Sequence, residues 1–167
     1  MPPERKERAK RTASDSGPQR TAEKSALRNL ARKLRIADLL SNHRIEVGSG
    51  WVSVDGFHED DDEVVLLEVN ARIGYMKQAT RNKVLKDAFK MLVISKAKSY
   101  AWRGKRVRRI LVFLSDEARQ SFGPRSWAHA AFDAMGIEAV VCRVSAKQRA
   151  ALEAAQRRQD LRFTLKK

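Results

Sequence analysis

Apolar residues recur along this chain in two patterns, a three-to-four-residue period and near-continuous runs. From about residue 21 to residue 40 the period is helical, which predicts an amphipathic helix of about five turns. The apolar positions that set this period are Ala26, Leu27, Leu30, Leu34, Ala37 and Leu40. Residues 64–69 and 110–114 are almost wholly apolar instead, which predicts two strands covered on both faces of a sheet.

The rest of the chain divides into shorter elements by the same reasoning. Ser115 and Ser126 are predicted N-caps of two short helices, and Gly136 is placed to end the second helix. The further predicted strands are residues 43–50, 51–57 and 137–144, and the longer helices are residues 76–98 and 146–162. The order αβββαβαβα predicts an α/β fold with a mixed central sheet of about five strands flanked by helices. A strand, a helix and a strand in succession imply a right-handed crossover and a parallel pair.

Composition predicts one domain with a charged N-terminal extension. Residues 1–19 are rich in Pro, Ser and charge, so we expect a disordered basic tail, followed by a single domain over residues 20–164. No apolar run approaches the roughly 20 residues that a membrane-spanning helix needs, and the N-terminus lacks the apolar segment of a secretory signal. The only cysteine, Cys142, excludes an intrachain disulfide and a Cys-rich zinc site, and it favours a reducing, cytoplasmic location.

The charge balance of the chain favours a polyanionic partner. Lys and Arg together number 35 against 20 Asp and Glu, which gives a net charge of +15. Such an excess usually serves nucleic-acid binding through counterion release and electrostatic steering, and DNA is favoured here over RNA. The alternatives are a basic scaffold subunit that binds an acidic partner and a protein that merely tolerates high charge. The sequence is also compatible with a homodimer.

Two carboxylates stand out in the β-rich part of the sequence. Glu68 lies in the apolar run 64–69, and Asn70 shares its face of the strand. If the hairpin turns at residues 61–62, Asp55 lies directly opposite Glu68, and if it turns one residue earlier the two are diagonal neighbours. Like charges at this distance repel, which favours a protonated partner or a divalent cation such as Mg²⁺ or Mn²⁺. Alternatively, Glu68 is solvated or salt-bridged to Arg72 at the open end of the strand.

The order of a helix, a hairpin with Asp55, a strand with Glu68 and a second helix resembles the PD-(D/E)xK, restriction-endonuclease-like nucleases. The resemblance covers about residues 20–145 and is strongest to small variant members with an E-x-x-A-x-x-G-x-x-K-x-x-x-x-x-K run. That run consists here of Glu68, Ala71, Gly74, Lys77 and Lys83. The resemblance implies a metal-dependent nuclease in which Asp55 and Glu68 hold Mg²⁺ or Mn²⁺.

The chain departs from the family pattern where the pattern has a lysine two residues after the acidic residue, because Asn70 stands there. Some family members carry this lysine on the following helix, so Lys77 is the predicted catalytic lysine and Lys83 the reserve. Both could instead only contact phosphate. The resemblance also suggests Glu23, from the first helix, as a third metal ligand, although an acidic residue is favourable near a helix N-terminus in any case.

A basic stripe on the long helix predicts contacts with the nucleic-acid backbone. Its members are Arg81, Lys83, Lys86 and Lys90. Such a stripe is also typical of a solvated helix face. Tyr100 and Trp102 lie in a basic linker and either stack on a base or close the loop. The predicted function is phosphodiester hydrolysis, and the main rival is a nucleic-acid-binding protein of the same fold without catalysis, which Asn70 favours.

Overall fold

The computed structural model describes residues 17–164, and the side chains as far as residue 160. The elements are α1 (Gly17–Leu34), β1 (Leu40–Val47), β2 (Gly50–Glu59), β3 (Glu63–Asn70), α2 (Gln78–Ala97), β4 (Arg106–Phe113), α3 (Asp116–Gln120), α4 (Trp127–Ala134), β5 (Ile137–Val141) and α5 (Ala146–Thr164). The predicted α/β fold with a mixed, five-stranded sheet is confirmed, with two short helices between β4 and β5. Ser115 and Ser126 cap these helices by accepting hydrogen bonds from Ala118 N and His129 N.

The strands lie in sequence order across the sheet. β1, β2 and β3 are antiparallel, whereas β3, β4 and β5 are parallel, because α2 and then the pair α3 and α4 return the chain to the same end of the sheet. The β2–β3 hairpin turns at residues 61–62, since Asp60 N donates to Glu63 O across the turn. The first of the two alternatives for this hairpin is therefore the correct one.

Each face of the sheet packs against its own helices. Val64 and Leu66 of β3 belong to the core under α2, α3 and α4, whereas Val65 and Leu67 belong to the core under α1 and α5. Glu68 continues the first series, so its side chain lies on the α2 face. No helix in the described part of the chain is long and apolar enough to cross a membrane.

The first helix differs from its prediction at both ends. α1 begins at Gly17, so residues 17–19 are helical and not part of a tail, while residues 1–16 of the predicted tail lie outside the described residues. Pro18 is compatible with this start because the first turn of a helix leaves its N–H groups unpaired anyway. α1 ends at Leu34, where Arg35 adopts a left-handed conformation with φ 59°. Leu40 is consequently the first residue of β1, not the last turn of a helix.

Candidate active site

The pairing of β2 with β3 ends at the two predicted carboxylates. The backbone pairs run from Glu59 with Val64 to Gly56 with Leu67, and one further step brings Asp55 opposite Glu68. At Val69, the next residue of β3, the N–H donates to a side chain of β2 and not to its backbone: Asp55 Oδ2 accepts this hydrogen bond at 2.8 Å. On the other side of β2, Asn42 of β1 has φ 50°, so β1 is also irregular here. The sheet therefore loses its regular pairing where the carboxylates meet.

A glycine beside Asp55 brings α1 close to this part of the sheet. A Cβ atom on Gly56 would lie 2.9 Å from Leu67 Cδ1 and 3.0 Å from Leu27 Cδ2 of α1. Both distances are shorter than ordinary van der Waals contact, so a larger residue would push α1 away from β2. The absence of a side chain at position 56 thus brings Glu23, one turn before Leu27, to the same edge as Asp55.

Glu68 is buried, and a lysine of α2 pairs with it. The residue is only 4% exposed, and Lys90 Nζ lies 2.5 Å from Glu68 Oε1. Apart from this ion pair, Oε1 has no hydrogen-bond partner among the described residues. Burial and then the negative charge of Asp55 raise the pKa of Glu68 to about 8, although Lys90 acts in the opposite direction. Such a perturbed carboxyl group is typical of functional sites.

Asp87 links two lysines of α2 beside the carboxylates. Its oxygens lie 3.3 Å from Lys83 Nζ and 3.5 Å from Lys90 Nζ. Partial desolvation lowers the pKa of Lys83, but Asp87 and then Asp55 and Glu68 outweigh it and raise that pKa. Lys83 and Lys90 therefore belong to the charge cluster of the site. The spacing of one acid four residues after one lysine and three before another is the sequence signal that could have identified Asp87.

Glu23 lies at the edge of this cluster. Its pKa is raised by burial and then by the charge of Asp55, while Lys83 acts in the opposite direction. With Asp55 it lines a cavity of about 420 Å³, and with Asn70 and Lys83 it lines a second cavity of about 250 Å³. In residues 17–160, no three His, Cys, Asp or Glu side chains form a group that could hold a metal ion. A role for Glu23 as third metal ligand stays a prediction.

The other predicted basic residues have different surroundings. Lys77 Nζ lies 3.0 Å from Asp160 Oδ2 of α5. Arg81 lies over the ring of Phe122, with 5.7 Å from its guanidinium carbon to the ring centroid, and Lys86 is exposed to solvent. The lysine that pairs with a site carboxylate is therefore Lys90, which the sequence pattern had suggested only for backbone contact.

Side-chain hydrogen bonds hold the loop between β3 and α2 in place, and the Asn70 side chain makes one of them. Asn70 Oδ1 accepts a hydrogen bond from Arg72 N at 3.1 Å. Gly74 has φ 77°, which a glycine adopts without strain, and its N–H donates to Ser115 Oγ at 3.2 Å. Met76 N donates to Ser121 Oγ at 2.9 Å. These bonds fix where α2 begins relative to the strand.

The two aromatic residues of the basic linker have different roles. Trp102 is 5% exposed and donates from Nε1 to Glu59 Oε2 at 3.1 Å, so it closes the loop and does not offer a stacking surface. Tyr100 is 87% exposed, which leaves it accessible to a base. Of the two alternatives for this linker, the structure therefore selects loop closure for Trp102.

Comparisons with known proteins do not place the chain in a family. No family model matches the sequence, and no curated protein matches it. The resemblance to the PD-(D/E)xK nucleases therefore stays a prediction. A functional proposal for this chain has to rest on the geometry of its own residues, above all on Asp55, Glu68 and Lys90.

Proposed function

We propose that the protein is a divalent-metal-dependent nuclease that hydrolyses phosphodiester bonds, with DNA as the expected substrate and the cytoplasm as its location. One observation carries the proposal: Asp55 and Glu68 meet where the pairing of β2 and β3 ends, and Lys90 Nζ lies 2.5 Å from Glu68 Oε1. Two carboxylates can hold a divalent cation, and a lysine beside them can stabilise negative charge at a phosphate, so these groups suit metal-dependent phosphodiester hydrolysis.

The donor set supports Mg²⁺ or Mn²⁺ as the cofactor. These ions bind to one or two protein carboxylates and complete their coordination with water and substrate phosphate, so Asp55 and Glu68 suffice as protein ligands. Glu68 Oε1 is buried with a single ammonium as its partner among the described residues, and burial and then the negative charge of Asp55 raise the pKa of Glu68. When bound, the cation would supply that charge, neutralise the phosphate and acidify a water molecule.

The protein side chains would orient the carboxylate, position the attacking water and contact the phosphate. The Val69 N–H fixes the orientation of the Asp55 carboxylate through Oδ2. Lys90 is placed to position the attacking water and to stabilise negative charge at the phosphate, which is the task that the family pattern gives to a lysine at position 70. Lys83 approaches the same carboxylates from about two turns earlier in α2 and would contact a neighbouring phosphate.

Cleavage assays test the proposal directly. Labelled single- and double-stranded DNA and RNA are incubated with Mg²⁺, Mn²⁺ or EDTA, and wild type is compared with Lys90→Met and Lys96→Met. We expect metal-dependent cleavage by the wild type, a loss of about 10²-fold or more in Lys90→Met, and nearly full activity in Lys96→Met, the matched control at an exposed lysine in the last turn of α2. The absence of cleavage with every substrate and both metals would contradict the proposal.

A non-catalytic nucleic-acid-binding protein is the second candidate. It is favoured by the existing Glu68–Lys90 ion pair, which already compensates one carboxylate, and by the lack of a three-residue metal group in the described part of the chain. Calorimetric titration with Mn²⁺ separates the two candidates. Binding of Mn²⁺ that is lost in Asp55→Asn supports the nuclease, whereas nucleic-acid binding without any Mn²⁺ binding supports the second candidate.

A further inference from the structure

Two cations of the β3–α2 loop converge on one carboxylate of α5. Lys77 Nζ lies 3.0 Å and Arg72 Nη2 lies 3.6 Å from the same oxygen, Oδ2 of Asp160. The distance from Arg72 is too long for a good hydrogen bond. Arg72 is also largely buried, with 19% of its side chain exposed, and its Nε–H has no hydrogen-bond partner among the described residues. A guanidinium group is thus buried with part of its hydrogen-bonding capacity unused.

Arg72 stands between the candidate active site and the outer surface of α5. On one side it lines the cavity of about 250 Å³ that also contains Asn70 and Lys83. On the other side it lines a cavity of about 290 Å³ together with Arg157 and Asp160 of α5. An extended polyanion that enters the active site would therefore pass Arg72 on its way out along α5.

We propose that Arg72 and Lys77 form a phosphate-binding subsite and that Asp160 occupies it in the free protein. The ligand would be a backbone phosphate of nucleic acid, next to the phosphate at the candidate active site, and in this respect the proposal rests on the proposed function. A guanidinium binds phosphate through two parallel N–H donors, and a phosphate could engage both Nε and Nη2 of Arg72, whereas with Asp160 beside Nη2 the Nε–H has no hydrogen bond to a described residue.

The structure allows Asp160 to leave without displacing α5. Asp160 is 43% exposed, and ion pairs at such accessible positions contribute little to stability. The helix has a separate anchor in Gln156, whose amide accepts from Ile73 N at 2.9 Å and donates to Ile73 O at 3.2 Å. Leu152 and Ala155 are also buried, on the side of α5 that faces the sheet. Rotation of one side chain would therefore open the subsite.

Binding of a fluorescein-labelled DNA duplex, measured by anisotropy in EDTA at several salt concentrations, tests the proposal without cleavage. We expect Asp160→Asn to bind about threefold tighter than wild type, because the competing carboxylate is gone. Arg72→Gln and Lys77→Gln should bind more weakly, and the slope of log K against log salt should become shallower by about 0.9 for the lost phosphate contact. Asp61→Asn, at the opposite end of β3, is the control for net charge and should change affinity far less.

The double variant Lys77→Gln/Asp160→Asn decides whether the effect is local. If Asp160 competes for the subsite, its replacement gives a much smaller gain once Lys77 is absent. An equal gain in both backgrounds, or equal gains in Asp160→Asn and Asp61→Asn, would overturn the proposal and leave only bulk charge. Because Lys77 is 66% exposed, its variant should fold even if Arg72→Gln does not.

Inorganic phosphate separates the subsite from the proposed function. The NMR signal of the Arg72 Nε–H is followed in Asp160→Asn as phosphate replaces chloride at constant ionic strength. A saturable shift supports the subsite even if the protein neither binds nor cleaves nucleic acid, in which case free phosphate or another phosphorylated ligand is the source. An unmoved Arg72 signal, with DNA affinity unchanged in Asp160→Asn, refutes the subsite while the nuclease proposal stands.

Discussion

The two ends of β3 carry acidic residues in contrasting surroundings. At its start, Asp60 is exposed, and Oδ1 accepts hydrogen bonds of 2.8 Å from both Asp62 N and Glu63 N. Those bonds, and then His58, lower the pKa of Asp60 to about 2. At its end, Glu68 is buried beside Asp55, and its pKa rises to about 8. The comparison teaches that hydrogen-bond donors and exposure to solvent stabilise the ionised form of a carboxylate, whereas burial and then a neighbouring acid favour the protonated form.

The largest expected effect concerns activity, which should depend on only one end of the strand. Replacement of Glu68 by Gln removes a carboxylate that would hold the proposed metal ion, so we expect metal-dependent cleavage to fall by about 10²-fold or more. Asp62→Asn removes one negative charge from the exposed turn and should leave the cleavage rate within about twofold of wild type. The cleavage rates of both variants are measured as initial rates with a labelled duplex at saturating Mg²⁺. Equal losses in the two variants would abolish the functional distinction between the two ends.

A second prediction uses the pH dependence of stability in EDTA. Folded Glu68 holds its proton up to about pH 8, whereas the unfolded chain releases it near 4.5. Because the folded state binds more protons between these values, Glu68 stabilises the fold fully below pH 4.5, and this contribution is lost as the pH rises through 8. From pH 5 to 9 the free energy of unfolding should fall by about 4 kcal/mol more in wild type than in Glu68→Gln.

Urea denaturation at a series of pH values provides this measurement. Titrations shared by both proteins cancel in the difference between the curves. Parallel curves for wild type and Glu68→Gln would mean that Lys90 keeps Glu68 ionised throughout the range, and the contrast with Asp60 would disappear. Saturation with Mn²⁺ should reduce the difference, because a bound cation favours the ionised carboxylate.

The smallest expected effect is at the start of the strand. Asp60→Ala removes the acceptor for two backbone N–H groups of the turn, so we expect a small loss in the free energy of unfolding. The cleavage rate should remain near the wild-type value, since the proposed active site lies at the other end of β3. Thermal unfolding measures the change in stability, and cleavage of the labelled duplex measures the change in activity. A large loss of activity with little loss of stability would assign the acidic turn a functional role.

Much of this arrangement follows from local patterns in the sequence. The alternation of face along β3 and the two-residue turn at residues 61–62 place Asp55 opposite Glu68, which is the first of the two registers that the residue spacing allowed. The serine caps of α3 and α4 were equally local, because a cap depends on neighbours three residues away. The boundaries of α1 do not follow from local patterns, since Arg35 ends the helix in a left-handed conformation that the apolar period does not reveal.

The sequence by itself determined the α/β fold and the proximity of the two carboxylates, because these depend on periodicity and on neighbours along one hairpin, whereas the structure decided between the two registers that the sequence allowed. Only the tertiary structure decided which lysine meets Glu68. The loop of residues 71–77 carries the chain past the end of β3, and α2 then returns across the sheet, so Lys90, about 18 Å along the helix from Gln78, lies above Glu68. Lys77, nearer in sequence, pairs with Asp160 on α5. Helix placement depends on packing against the whole sheet, which no local pattern encodes.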